Sequence, residues 1–320
     1  MADGDDNFLP SLKELRKLNA NANCPEVAWI WGPEDELGRL NLLTESLISK
    51  VAKEEVQSGC VISLNWNIEL PAQPNFDRSP CKVKILPNTS SDCIFDDSLE
   101  MNTQSGSQWD GFRHFGHQTH GFLYNNLSPE DVTLTDRCGM HVVSRHGIVG
   151  RGVFIDYYRY AQKFNKPYDP LTSHAINLNE LLACANYQGT QFQKGDILII
   201  RSGYVSRYNE LQESNPAKLE RSAASNPTLA GVEQSEEMKT WLHDSCVPPF
   251  PNIRFFITVP FFRRDANIQV ISYFAAVAGD APSFEVWPSS QSWYLHEYLL
   301  ACWGVMIGEM FDLEIIGSVN

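Results

Sequence analysis

Between positions 104 and 115 the chain reads Gln104-Ser-Gly-Ser-Gln108-Trp109-Asp110-Gly-Phe112-Arg-His114-Phe115, a dense run of groups that can move protons and make hydrogen bonds. His114 titrates near neutral pH when unperturbed, so it can serve as both base and acid. Asp110, four residues earlier, can orient that imidazole or stabilise its protonated form. The amides of Gln104 and Gln108 are neutral: their N–H groups suit a developing oxyanion, whereas their oxygens are poor substitutes for imidazole at a borderline-soft ion. His114 and Asp110 are therefore the catalytic candidates, and the pattern favours proton transfer over water activation. Trp109, Phe112, Phe115 and Phe122 point to an apolar or aromatic substrate, with plain core packing as the other use of each. Gln104, Gln108, Trp109, Phe115 and His117 are the expected substrate-binding residues.

His117 and His120 extend a spacing of three from His114. Side chains at i, i+3 and i+6 drift around a helix and alternate across a strand, so coordination of one ion by all three requires an irregular loop. The spacing is read as structural. His141, His146, His174 and His243 have no motif around them and are read as surface or satisfied core residues.

The run from Gln104 to Phe115 resembles the His-x-Gly-Thr-His-x-Asp-x-Pro-x-His-Phe signature of the cyclase family, which includes bacterial kynurenine formamidases and isatin hydrolases. Five further blocks follow the family's order: Trp31 to Thr44, Gly147 to Asp156, Gly195 to Gly203, Ala278 to Glu285, and the terminal stretch with Leu295-His296-Glu297 and Ile307-Gly-Glu309. In the family, two leading histidines and the aspartate hold a divalent ion and the last histidine moves protons. Here Gln104 and Gln108 stand at the two leading positions, while Asp110 and His114 remain. The terminal blocks resemble the region that supplies the family's last two ligands, which implies His296 and Glu309. With Asp110 they form one histidine and two carboxylates, a set acceptable to one zinc or manganese ion. His296 and Glu309 meet only if the chain turns between them, near Gly304.

The resemblance implies an α/β fold, layered as in the swivelling β/β/α domains of that family, formed by residues 1–320 as a single domain. It also implies a homo-oligomer, a dimer or larger. Three functions remain open. The first is a general acid/base enzyme, with no metal, that closes, opens or dehydrates a ring in a carbonyl-bearing small molecule, aromatic or polyketide-like. The second is a metal-dependent amidohydrolase resembling arylformamidase. The third is a noncatalytic small-molecule binder on an old enzyme scaffold.

One segment departs from the family's pattern. The helix ending near Trp241 to Asp244 should lead almost directly to the strand at Phe274 to Asp280, yet about 246–270 intervenes, rich in Pro and Phe. It is read either as an aromatic lid or as a translated intron.

The elements that must position these groups follow from local pattern. Ser11 to Leu18 reads as a short helix. Thr44 caps a longer one through about Ser58, with an apolar stripe at Leu47, Ile48, Val51, Ala52 and Val56, and Gly59 ends it. Cys60 to Trp66 reads as a strand. Residues 71–97, rich in Pro, Asp and Ser, read as loops approaching the site. Gly147 to Tyr157 is a turn entering a strand, Leu178 to Tyr187 a helix, and Asp196 to Arg201 a buried strand. Alternating strands and helices give a layered α/β class.

Composition narrows the partners. The chain of 320 residues is 43% hydrophobic, enough to bury a large core. A net charge of -14 argues against nucleic acid or an anionic membrane, because phosphate binding requires basic surface. The expected partner is a small molecule. No signal-peptide pattern opens the sequence and no run of about 18 apolar residues suggests a span, so the expected location is the cytoplasm. Eight cysteines without a Cys-x-x-Cys pair read as reduced, mostly buried residues. Gly279-Asp280-Ala-Pro-Ser283 is either a pocket wall or a strand-ending turn. Glu285 and Glu297 are read as solvated.

Overall fold

Thr44 opens the longest amino-terminal helix as its sequence demands, its hydroxyl accepting from the Leu47 amide at the start of Glu45–Glu55. Leu47 and Ile48 pack half-buried on the core, but the stripe is shallow: no residue of this helix is fully buried and Val56, at its end, is largely exposed. The computed structural model describes residues 9–18, 24–90, 92–222, 226–244 and 273–319. The segment 246–270, expected as a lid or an intron, lies outside the described residues.

The described residues form nine strands: β1 (Lys82–Pro87), β2 (Phe95–Glu100), β3 (Gln108–Asp110), β4 (Gly152–Ile155), β5 (Ala175–Ile176), β6 (Ile197–Ile200), β7 (Gly231–Val232), β8 (Ala276–Gly279) and β9 (Met306–Glu309). The central sheet has the order β3-β9-β8-β6-β4, parallel except for the antiparallel edge strand β3. Strands β6, β8 and β9 are buried along their whole length, which explains their continuous apolar runs: a parallel strand covered on both faces needs no alternation. The helix Leu178–Gln188 packs on β4, capped by Asn177 at its start and by Gly189 in the left-handed region at its end. The fold is α/β, as expected.

Two expectations about elements are corrected. Cys60 to Trp66 is not a strand; it contributes one isolated bridge, Asn65 to Phe311. Residues 71–97 are not all loop, since β1 and the first half of β2 lie there and pair as an antiparallel hairpin. Almost every hairpin position faces solvent, so neither strand needed the apolar alternation that would have revealed it.

The turn expected near Gly304 is present, and it requires glycine. Gly304 has φ +63°, and a Cβ there would lie 2.5 Å from the Tyr124 ring and 2.8 Å from the Gly38 backbone. This close crossing returns the chain from the helix that begins after His296 into β9, which ends in Glu309.

Candidate functional site

The edge of the sheet sets the site. In the β3–β9 register Gln108 stands opposite Glu309 and Asp110 opposite Ile307, so the period of two puts Gln108 and Asp110 on one face with Glu309 beside them. Trp109 consequently points the other way, where its ring meets Phe311 edge-on at 5.3 Å. Trp109, expected at the substrate, thus lies on the opposite face from Gln108 and Asp110. His296 immediately precedes a π-helical turn, Glu297–Cys302, a geometry common where side chains are re-aimed into sites.

Asp110, His296 and Glu309 each offer one ligand atom within 4.8 Å of the others, all three residues being buried. His296 Nε2 lies 3.3 Å from Glu309 Oε1 and 3.7 Å from Asp110 Oδ2, while its Nδ1 lies 2.8 Å from Glu285 Oε2. Glu285 is fully buried, so its reading as a solvated carboxylate was wrong. Its only sequence signal was its place at the end of the Ala278 block. Burial opposes protonation of His296, but the charge of Glu285 and contacts with Asp110, Glu285 and Glu309 outweigh it and hold the ring well above the usual histidine range. Burial pushes the Glu309 carboxyl up, as does the Asp110 charge. Asp110 is also pushed up by burial, but His296 and His114 together bring its carboxyl below the usual range.

The glutamines do not point into open space. Gln104 Nε2 donates to Asp110 Oδ1 at 2.8 Å. Gln108 Nε2 lies 2.7 Å from Gln104 Oε1, 3.1 Å from Glu309 Oε2 and 3.3 Å from Asp110 Oδ1. These amide N–H groups, expected to face a substrate oxyanion, are directed at the carboxylates of Asp110 and Glu309. Two buried acceptors are left without a hydrogen-bond partner, Asp110 Oδ2 and Gln108 Oε1.

His114 is the accessible member of the group, with 24% of its side chain exposed and Nε2 3.9 Å from Asp110 Oδ2. Burial lowers its pKa, and His296 and Arg78 act in the same direction against the pull of Asp110. Phe115 joins it: its ring centre is 5.4 Å from that of His296 and 6.3 Å from that of His114. Arg78, which donates to the Gln104 carbonyl at 2.8 Å, has no signal in the sequence. His117, expected at the substrate, turns away from this group into a cluster with Cys24 and His120. Asp280 holds the ends of β6 and β8 together by accepting from the Ser202 and Gly203 amides, the strand-ending alternative for its block. A concavity of about 850 Å³ lined by Arg151, Asp156 and Lys163, among others, contains none of the candidate-site side chains.

The donor set of Asp110, His296 and Glu309 fits one divalent ion. Asp110 Oδ2 is unpartnered, and Glu285 holds the far nitrogen of His296 as carboxylates commonly do behind metal-bound histidines. Gln104 and Gln108, which face the carboxylates with their N–H groups, fit a ligand role poorly.

A family model described as "Putative cyclase" matches residues 43–248, a range that contains Gln104 to His114 and stops short of Glu285, His296 and Glu309. A novel cyclase of known crystal structure is similar over 90% of this chain and 87% of its own, with a TM-score of 0.69 and 22% identity. Isatin hydrolase A from Labrenzia aggregata, bound to benzyl benzoate, shares 13% identity over 84% of this chain and 86% of its own at a TM-score of 0.50. An isatin hydrolase bound to the product analogue thioisatinate gives the same TM-score of 0.50 at 10% identity, over 84% of this chain and 86% of its own. No curated protein matches the chain significantly.

Proposed function

The chain belongs to the cyclase family, and from that premise we propose that it is an acid/base enzyme acting on a carbonyl-bearing small molecule, with His114 as proton shuttle. The observation that carries this reading is the accessible His114 imidazole facing, at 3.9 Å, the buried Asp110 Oδ2, an oxygen that accepts no hydrogen bond and has only His296 Nε2 nearer, at 3.7 Å. A neutral imidazole there accepts a proton, and the aspartate charge stabilises the imidazolium that results. In a dehydration, His114 takes the proton next to the carbonyl, the bond to the departing hydroxyl breaks, and the imidazolium returns the proton to that oxygen to release water. In ring opening of a cyclic amide, His114 takes the proton from water as its oxygen adds to the carbonyl, then protonates the leaving nitrogen. Phe115 supplies an apolar wall for an aromatic ring beside both histidines.

A second reading is favoured by the donor set itself. Asp110, His296 and Glu309 would hold one zinc or manganese ion. Such an ion, when bound, polarises a carbonyl and lowers the pKa of a coordinated water. His114 would then deliver or accept the proton, and the chemistry would be amide hydrolysis. Homo-oligomer formation belongs to the same proposal; the hairpin of β1 and β2, with Ile85, Phe95 and Leu99 more than half exposed, supports pairing with a second copy.

Turnover of a panel of cyclic amides, N-formylanilines and hydroxy ketones, with and without a strong chelator, tests both readings. The first expects activity that survives the chelator and disappears in His114→Ala. Activity abolished by the chelator and restored by zinc or manganese supports the second, and full turnover in His114→Ala overturns both. Binding of a panel member without turnover would instead favour the noncatalytic binder.

A further inference from the structure

Away from the carboxylate cluster, a second group of ligand-type side chains converges: Cys24, His117 and His120, with one ligand atom from each within 4.8 Å of the others. They come from separate parts of the chain, the amino-terminal segment and the loop after His114, and no spacing rule links them. We propose that Cys24, His117 and His120 form a zinc site that fastens the amino-terminal segment to the body of the fold beside the π-helical turn.

The donor chemistry fits. One sulfur and two imidazoles suit zinc, whose bonds of about 2.3 Å to sulfur and about 2.0–2.1 Å to nitrogen need only a modest contraction of the present cluster. The three donors leave a fourth position open for water. Cys24 and His117 are buried while His120 is exposed, which gives the ion a route in. His117 Nδ1 is buried without a hydrogen-bond partner, although Glu297 Oε2 lies 3.1 Å away off the bonding direction. A buried polar nitrogen in that state is costly unless something further orders the ring. Glu297 is itself fixed by the Gln118 and Tyr294 amides at 2.9 and 3.0 Å, so it stands where a carboxylate commonly steadies a metal-bound histidine.

Sulfur chemistry points the same way. Cys302 lies 4.0 Å from Cys24, sulfur to sulfur. A cysteine binds zinc through its thiolate sulfur, and the Cys302 sulfur stands behind that of Cys24. Glu297 immediately follows His296, so an ion here would stiffen the turn that presents His296 to the other cluster without entering it.

The test uses the full-length protein, reduced and stripped of metal, titrated with cobalt(II) as a spectroscopic stand-in and then with zinc. The expected result is a near-ultraviolet thiolate-to-cobalt band with strong visible bands, saturating at about one equivalent and bleached by zinc. Cys24→Ser should abolish the thiolate band. His120→Ala, at an exposed position and with its circular dichroism spectrum checked against the parent, should weaken cobalt binding at least tenfold, and Glu309→Gln, in the other cluster, should leave the band unchanged. Absence of the band in the parent protein, or its persistence in both Cys24→Ser and His120→Ala, would overturn the proposal.

Discussion

Replacing His296 with glutamine removes the positive centre that three buried carboxylates share. The distances set the scale: 2.8 Å to Glu285, 3.3 Å to Glu309 and 3.7 Å to Asp110. At an effective dielectric near 20, each such pair interacts by about 4–6 kcal/mol before desolvation is subtracted. Because burial of the charges offsets most of that attraction, the relevant quantity is the cost of breaking a buried pair by removing one partner, about 3–5 kcal/mol. The assay is urea unfolding of chelator-treated protein, followed by tryptophan fluorescence and circular dichroism, with slopes checked for a common transition. A loss of that size lowers the midpoint by about 1 M urea or more. The double variant His296→Gln, Glu285→Gln removes a negative partner along with the cation and should recover at least about 1.5 kcal/mol of the loss, the signature of coupled charges. If His296→Gln costs less than about 1 kcal/mol, or the double variant is as unstable as the summed single changes, then His296 is not a charged hub and the electrostatic account of this site is wrong.

Further outcomes are expected. His114→Ala should lower kcat on a turned-over substrate by about 10²–10⁴-fold while leaving the circular dichroism spectrum unchanged, as loss of a general acid/base does. The double change Gln104→His, Gln108→His replaces amides that face Asp110 and Glu309 with imidazoles, and elemental analysis should find about one additional zinc per chain; an unchanged metal content would contradict it. His243 is fully buried, and burial together with Arg39 pushes its pKa down to about 4. The unfolded chain, with an ordinary histidine near 6.5, binds the extra proton. Stability should therefore be complete above that pH and fall by on the order of 3 kcal/mol as pH drops toward 4; His243→Gln should flatten this slope in unfolding curves across that range. Gly304→Ala, forced into a left-handed φ against Tyr124 and Gly38, should cost about 2 kcal/mol or more in the same unfolding assay.

Residue type and local spacing determined the α/β class, the helices capped by Thr44 and Asn177 and the buried strand β6, and the motif with the family resemblance pointed to Asp110, His114, His296 and Glu309, which the fold brings together. Those signals are local: caps, periodicity and a motif whose members lie within twelve positions of one another, with the terminal pair supplied by family resemblance. The hairpin of β1 and β2 escaped because exposed strands carry no required alternation. What the side chains around the motif do was decided elsewhere. The antiparallel register of β3 on β9 turned Trp109 away and set Gln108 against Glu309, so amides that suit an oxyanion by type became hydrogen-bond donors to carboxylates. Glu285 and Glu297 looked like solvated acids, yet each is buried against a histidine, because a charge is tolerated inside only where the fold brings its partner. Likewise, Cys24 joins His117 and His120 only in the folded chain. Amino-acid type fixes what a side chain is able to do; which groups meet, and in what direction, is fixed by contacts between segments far apart in the chain, which no local pattern encodes.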